Sequence, residues 1–245
     1  MMQVGLLGEM TNKYNHPVIA IVQARMGSTR LPGKVMAEVS GKPVIQYVLE
    51  RLKSVKNIDA IVLATSIKDR DNILCEFATS QNISFFRGDE TDVLNRFFET
   101  SIAYQAQTIV RICGEDILLD PKIVENLIAL HFDSNADYTS NIIGRSFPEG
   151  LYAEVLSIDT LRSVAGKAIA DDHREHVTKY ILDNPDEYHI EHITSYGIYK
   201  KSWLDISVDT IEDLERIRSI AKVLFPNGEF ITSESALEFL VKQDE

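Results

Sequence analysis

Between residues 18 and 141 the chain alternates strand-like apolar runs with helical stretches, and few architectures accept that rhythm. The strand-like runs fall at 18–23, 60–65, 84–87, 108–112 and 136–140, with helical patterns at 43–55, 69–80, 93–105 and 121–135 between them. Alternation of this kind requires a mostly parallel sheet, because each parallel strand must be reached by a crossover helix that then covers one face. Pro43 and Pro121 stand at first-turn positions, where a missing N–H does no harm. The expected fold class is therefore α/β, a doubly wound sheet.

After Asn141 the rhythm changes. A turn at Phe147-Pro-Glu-Gly150 leads into a strand-like run at 151–157 and a helix at 158–168. A further helix is expected at 171–183, short aromatic runs at 190–199, and a strand at 203–208. Thr210 and Asp213 form a capping-box pattern ahead of a helix at 211–224, and a last helix is expected at 233–242. Residues 1–16 read as an extension and 17–245 as one domain, with about 142–202 forming a smaller inserted subdomain for a second substrate or a dimer contact.

The chemistry concentrates where the first strand ends. The loop after Val18-Ile-Ala-Ile-Val22 carries Arg25, Arg30 and Lys34 together with Gly27, Gly33 and Pro32. The whole chain of 245 residues has a formal net charge of -12, so three cations in ten residues stand out. Glycines let a backbone approach an anion, guanidinium groups grip phosphate oxygens, and open α/β sheets bind ligands at the carboxyl ends of their strands. The loop reads as a nucleotide-phosphate grip. It is not a Walker A loop, since Gly27 and Gly33 are one residue too far apart and Val35 replaces the hydroxyl residue; G-x-G-x-x-G is also absent. A solvated basic turn is the plainer alternative.

The acidic balance argues against a general nucleic-acid or membrane-surface binder. No apolar run approaches the roughly 18 to 20 residues that span a bilayer, and the first 16 residues lack the basic start of a signal peptide. Cys75 and Cys113 are the only cysteines, which excludes a disulfide framework and a cysteine-based zinc site. A cytoplasmic location is expected.

Five blocks, in order, resemble those of the cytidylyltransferases that make CMP-activated sugars, including the CMP-Kdo and CMP-acylneuraminate synthetases. Within them the resemblance is nearest to the branch named for spore coat polysaccharide biosynthesis protein F. The first is Gln23-Ala-Arg-x-x-Ser-x-Arg-Leu-Pro-x-Lys34. The others are Arg87-Gly-x-x-x-Asp-Val-Leu-x-Arg96, Arg111-Ile-Cys-Gly-Glu-Asp-Ile-Leu-Leu-Asp-Pro121, Phe147-Pro-x-Gly-Leu-x-x-Glu-Val155 with Asp172-His-Arg-Glu-His-Val-Thr178, and Ser207-Val-Asp-Thr-Ile-Glu-Asp-Leu214. The resemblance implies a Rossmann-like nucleotidyltransferase fold and transfer of CMP from CTP to a sugar or sugar acid. It also implies Mg2+ as cofactor and a homodimer.

Carried over residue by residue, the resemblance implies nucleotide binding by Gln23, Ala24, Arg25, Ser28, Arg30, Lys34, Arg87, Asp92 and Arg96. Arg25, Lys34 and Asp209 would be catalytic, and Glu115 and Asp209 would hold the metal. Family members usually have Gly-Asp where this chain has Gly114-Glu115, so Asp116 is kept as the substitute ligand. Such a pair of carboxylates at one sheet edge suits a hard cation. Asp92 and Asp209 have a plainer reading as helix caps, and Glu115-Asp116 as an acidic loop. Glu154, Arg174, Glu175 and His176 would meet the acceptor, with an Arg–Glu ion pair joining subdomain to sheet as the alternative; a metal held by His173 and His176 lacks a third ligand. Two other readings remain. A glycosyltransferase would want an Asp-x-Asp-like motif on a strand edge, and a non-catalytic nucleotide-binding homologue is favoured only by Glu115.

Overall fold

A computed structural model of the chain describes residues 14 and 16–243. The expected extension at 1–16 lies outside the described residues except for Tyr14 and His16. The chain opens with β1 (Val18–Gln23), followed by a small hairpin, β2 (Glu38–Val39) and β3 (Lys42–Pro43), and by α1 (Val44–Leu52). Next come β4 (Ala60–Ser66), α2 (Asn72–Ser80), β5 (Ser84–Gly88), α3 (Val93–Ala103), β6 (Thr108–Cys113), α4 (Pro121–Ser134) and β7 (Tyr138–Ser140). The second half holds β8 (Glu154–Ser157), α5 (Ile158–Lys167), α6 (Asp171–Glu175), α7 (Lys179–Asp183), β9 (Ile190–His192), α8 (Ile211–Leu224) and α9 (Ser233–Gln243).

Seven strands form one sheet in the order β5-β4-β1-β6-β8-β7-β9. Neighbours are parallel from β5 to β6, β8 runs antiparallel to both β6 and β7, and β9 is parallel to β7. The sheet is thus mostly parallel, as the alternation demands. Strand β1 lies inside it, between β4 and β6, and Val18 to Val22 are all fully buried. Such a continuous apolar run is what a strand covered on both faces needs. Its alternate residues serve different cores. Val18, Ala20 and Val22 pack with Val44, Val48, Leu127 and Leu214, whereas Ile19 and Ile21 pack with Leu94, Phe97 and Leu161. Each such buried aliphatic side chain contributes on the order of 1.5 to 3 kcal/mol.

Helix starts follow their sequence signals. Asp120 caps α4 through the Lys122 N–H at 2.8 Å with Pro121 in the first turn, and Thr210 and Asp213 form the reciprocal capping box of α8. Pro43 sits one residue earlier than expected, in β3, just ahead of α1.

Two expectations are corrected. The helix expected at 171–183 is broken into α6 and α7, because His176 turns extended (φ -107°, ψ 92°) and Val177 drops fully buried into the core. The strand expected at 203–208 does not form; Asp205 makes one isolated bridge with Glu149 and its carboxylate accepts from both the N–H and the hydroxyl of Ser207, each at 2.8 Å. That local side-chain bonding competes with a strand ladder. The stretch after Asn141 contributes β8 and β9 to the same sheet. Among the described residues, no helix is long and apolar enough to cross a membrane.

Candidate active site

The site forms where β1 and β6 end side by side. The Gly114 N–H donates to the Gln23 carbonyl at 2.9 Å, and a Cβ at Gly114 would lie 3.0 Å from both that oxygen and Ala24 Cβ. Glycine lets the cationic loop and the acidic loop touch. The cationic loop closes on itself through the Gly33 N–H to the Met26 carbonyl at 2.9 Å, with Gly33 in the left-handed region (φ 76°). It is anchored from below by Asp71, fully buried, whose carboxylate accepts from the Met26 N–H at 2.7 Å and also from Ser66.

Around these loops lies a cavity of about 300 Å³. The loop after β1 lines it with Gln23, Ala24, Arg25, Ser28, Arg30 and Lys34. Arg96 enters from α3, Glu115 from the loop after β6, Glu175 and His176 from the end of α6, and Asp209 from just ahead of α8. All of these stood among the residues expected from the sequence. The fold gathers them because the motifs sit at the carboxyl ends of β1 and β6 or in the segments that cross over them.

Five expected residues lie elsewhere. Arg87, at the end of the outermost strand β5, spends its guanidinium on the Ser66 and Lys68 carbonyls (both 2.9 Å) and on Asn72 Oδ1 (2.7 Å). Asp92 caps α3 through the Asn95 N–H at 2.9 Å and pairs with Arg174, which also donates to the Ala165 carbonyl at 3.1 Å. Those two residues brace α6 against α3. Glu154 is buried behind the wall, where it pairs with Arg111. Asp116 is buried as well, and burial with the neighbouring Glu115 charge pushes its carboxyl well above the usual carboxylate range.

The wall also contains residues that the sequence reading did not select, namely Thr29, Val35, Val93 and Arg111. Arg111 had a signal. It interrupts the buried run Thr108-Ile-Val-Arg-Ile-Cys113 in the strand beside β1, and a charge there is not placed for packing. Its Nη2 donates to Gln23 Oε1 at 3.2 Å.

Five cations therefore face one cavity on an acidic chain. Arg25 and Arg96 both donate to the Glu90 carbonyl, at 2.9 and 3.3 Å; Arg96 also donates to the Asp89 carbonyl, and Arg25 lies 3.6 Å from the Glu175 carboxylate. Burial, and then the nearby Arg25 charge, pull the Arg96 guanidinium down to about 10. Two crowded guanidinium groups bound to carbonyl oxygens make a receptor for an anion, which would relieve their mutual repulsion.

Across from them the acids form a second feature. Lys34 Nζ lies 2.5 Å from Asp209 Oδ1 and 3.1 Å from Glu115 Oε1, and Arg30 reaches the other oxygen of Asp209 at 2.9 Å. Burial alone would lower the Lys34 ammonium, but Glu115 and Asp209 outweigh it and hold its pKa above the ordinary value. The two acids thus already bracket one positive charge with hard oxygen donors. That donor set fits a divalent cation whose remaining ligands come from water and substrate phosphates. Among the described residues, no group of three or more His, Cys, Asp or Glu residues gathers to hold a metal unaided.

Comparison with known proteins agrees with this geometry. The chain is 35% identical over 207 residues to an uncharacterized protein of Methanocaldococcus jannaschii, covering 84% of this chain and 83% of that protein. It is 33% identical over 208 residues to the spore coat polysaccharide biosynthesis protein SpsF of Bacillus subtilis, covering 83% and 85%. Its fold superposes on a cytidylyltransferase from Leptospira borgpetersenii with a TM-score of 0.85, 27% sequence identity, and coverage of 94% and 95% of the two chains. The cytidylyltransferase family profile matches residues 19–238, nearly the whole described chain. A cavity that sets a cationic loop against two carboxylates, on a sheet of this order, accords with that match: the chain belongs to the cytidylyltransferase family and is a nucleotidyltransferase.

Proposed function

We propose that the protein transfers CMP from CTP to a hydroxyl of a sugar or sugar acid, releasing pyrophosphate, in the synthesis of a surface polysaccharide or glycoconjugate. The observation that carries this reading is the facing of Arg25, Arg96 and Lys34 with Glu115 and Asp209 across one cavity. An acceptor oxygen attacks the α-phosphorus and the bond to the β-phosphate breaks, so positioning and charge neutralisation do most of the work. Arg25, Arg30, Lys34 and Arg96 grip the triphosphate, while Gln23, Ala24 and Ser28 line its entry. Glu115 and Asp209 would hold Mg2+, which when bound neutralises charge on the phosphate oxygens. Glu175 and His176 form the wall nearest the acceptor. Behind them Arg174, Asp92, Arg87 and Glu154 fix the segments that carry the wall, and Asp116 stays in reserve beneath Glu115.

Pyrophosphate release measured over the four nucleoside triphosphates, with a panel of neutral sugars and sugar acids, tests the reading. CTP is expected to be preferred, with release abolished by EDTA and restored by Mg2+. Equal turnover of ATP and CTP, or full activity in EDTA, would overturn it.

The same reading places the enzyme in the cytoplasm as a homodimer joined through the 142–202 segment. Exposed Ile169 and Tyr196, at 88% and 46% accessibility, and Trp203 just past the segment, at 67%, support that contact. Light scattering is expected to give about twice the 27.6 kDa chain mass. A single 27.6 kDa species at micromolar concentration would refute the dimer.

A further inference from the structure

The positive charge between Glu115 and Asp209 belongs to the chain itself. Lys34 is 7% exposed, and its backbone is held on both sides. Its N–H donates to the Leu31 carbonyl at 3.2 Å, and its own carbonyl accepts from the Ala37 N–H at 3.1 Å. The ammonium therefore reaches the acids from a fixed base. The acids are fixed too, because the Val208 N–H donates to the Glu115 carbonyl at 3.3 Å and clips their two loops together. Without a cation between them, two carboxylates would face each other in a half-closed cleft, which is costly. Arg30 satisfies Asp209 from the solvent side, with its side chain 65% exposed, and leaves the inner place to Lys34.

We propose that Lys34 is the resident counter-cation of the metal position: in the empty enzyme its ammonium occupies the place between Glu115 and Asp209, and it yields that place only when nucleotide phosphates offer it another anion. The proposal rests on the reading of Glu115 and Asp209 as the cation-holding pair. An ammonium and a divalent ion cannot both lie between the same oxygens, since a metal such as Mg2+ needs contacts of roughly 2.0 to 2.1 Å. A free divalent ion thus meets a pair that is already neutralised. The triphosphate changes both sides of the balance, giving Lys34 new partners and supplying oxygen ligands to the ion. Nucleotide and metal then bind with positive coupling, and Lys34 is the moving part.

Mn2+ binding to the full-length protein without nucleotide, followed by the EPR signal of the free ion, tests this. Wild type is expected to bind weakly, and Lys34→Met to bind about tenfold more tightly or better. Arg30→Met is the control, because it removes the same unit of charge from Asp209 without vacating the inner place. It is expected to tighten binding by no more than about threefold. Equal tightening in the two variants would reduce the effect to general electrostatics and overturn the proposal, as would no tightening in Lys34→Met. Adding Glu115→Gln to Lys34→Met is expected to abolish the gain; a gain that survives places the ion elsewhere and also overturns it. If Lys34→Met fails to fold, Lys34→Gln replaces it, keeping a polar N–H donor on that side chain while removing the charge. The titrations contain no nucleotide, so an enzyme that releases no pyrophosphate from CTP would overturn the functional reading while the ion comparison still decides this one.

Discussion

Asp209→Ala is expected to lower kcat/KM for pyrophosphate release from CTP by on the order of 10³-fold, the several kcal/mol that a correctly held cation supplies to the transition state. Glu115→Ala is expected to lose as much, because the two carboxylates bracket the same charge at 2.5 and 3.1 Å. The double variant should then be no worse than either single one, since groups acting as a unit are grossly non-additive. Thermal melts of the single variants are expected to stay close to wild type, because each leaves the Lys34 ammonium one carboxylate partner. Glu115→Asp should keep or raise activity, and Asp116→Ala should matter less, since Glu115 lines the cavity and Asp116 does not. Steady-state kinetics decide the matter. If Asp116→Ala kills activity while Glu115→Ala stays near wild type, Asp116 holds the ion.

Glu154→Ala is expected to cost about 3 to 5 kcal/mol of stability, the usual penalty for stripping a buried ion pair of one partner. Glu154 is 1% exposed and accepts from Arg111, from the Tyr138 hydroxyl at 2.5 Å and from the Thr178 hydroxyl at 2.5 Å. Burial would lower the Arg111 guanidinium, but the Glu154 charge outweighs it and raises its pKa instead. Loss of Glu154 leaves that charge uncompensated and two hydroxyls without their acceptor. Replacing Glu154 and Arg111 together by Met is expected to recover much of the stability, because an apolar pair of similar volume removes the buried charge altogether. Activity is not expected to return with it, as Arg111 lines the cavity. Urea denaturation of the two variants and wild type provides the check, and a loss below about 1 kcal/mol for Glu154→Ala would show that water or a neighbouring acid takes over the pairing.

The sheet was legible in the sequence where local pattern and tertiary demand agree. Val18 to Val22 must be buried on both faces, and both the first-turn Pro121 of α4 and the Thr210–Asp213 box are local signals. The break between α6 and α7 was not legible, because no glycine or proline marks 171–183. It comes from the pull of Val177 and Thr178 on distant partners. Asp205 similarly defeats a strand through its own side chain. At the site, the loop from Gln23 to Lys34 could be read because its cations contrast with an acidic chain. The placement of Arg87 could not, since strand order is invisible to periodicity: β5 ends on the same edge as β1 but two places away, beyond β4. Arg111 shows the opposite case, a residue whose odd position in an apolar strand carried information that the motif around it obscured.

The reversed direction of β8 has a mechanical consequence. Stitched to β6 on one side and to β7 on the other, it carries Glu154 at its start and binds the second half of the chain into the same sheet that carries the cationic loop. A clamshell motion, with one lobe swinging over the substrate, would have to tear two ladders. In the proposed reaction, adjustment to acceptors of different size would fall to the rim, where α6 stops at His176 and the chain kinks before α7. Under the proposed function the sheet would set where the phosphates lie, and the rim could change shape without breaking either ladder.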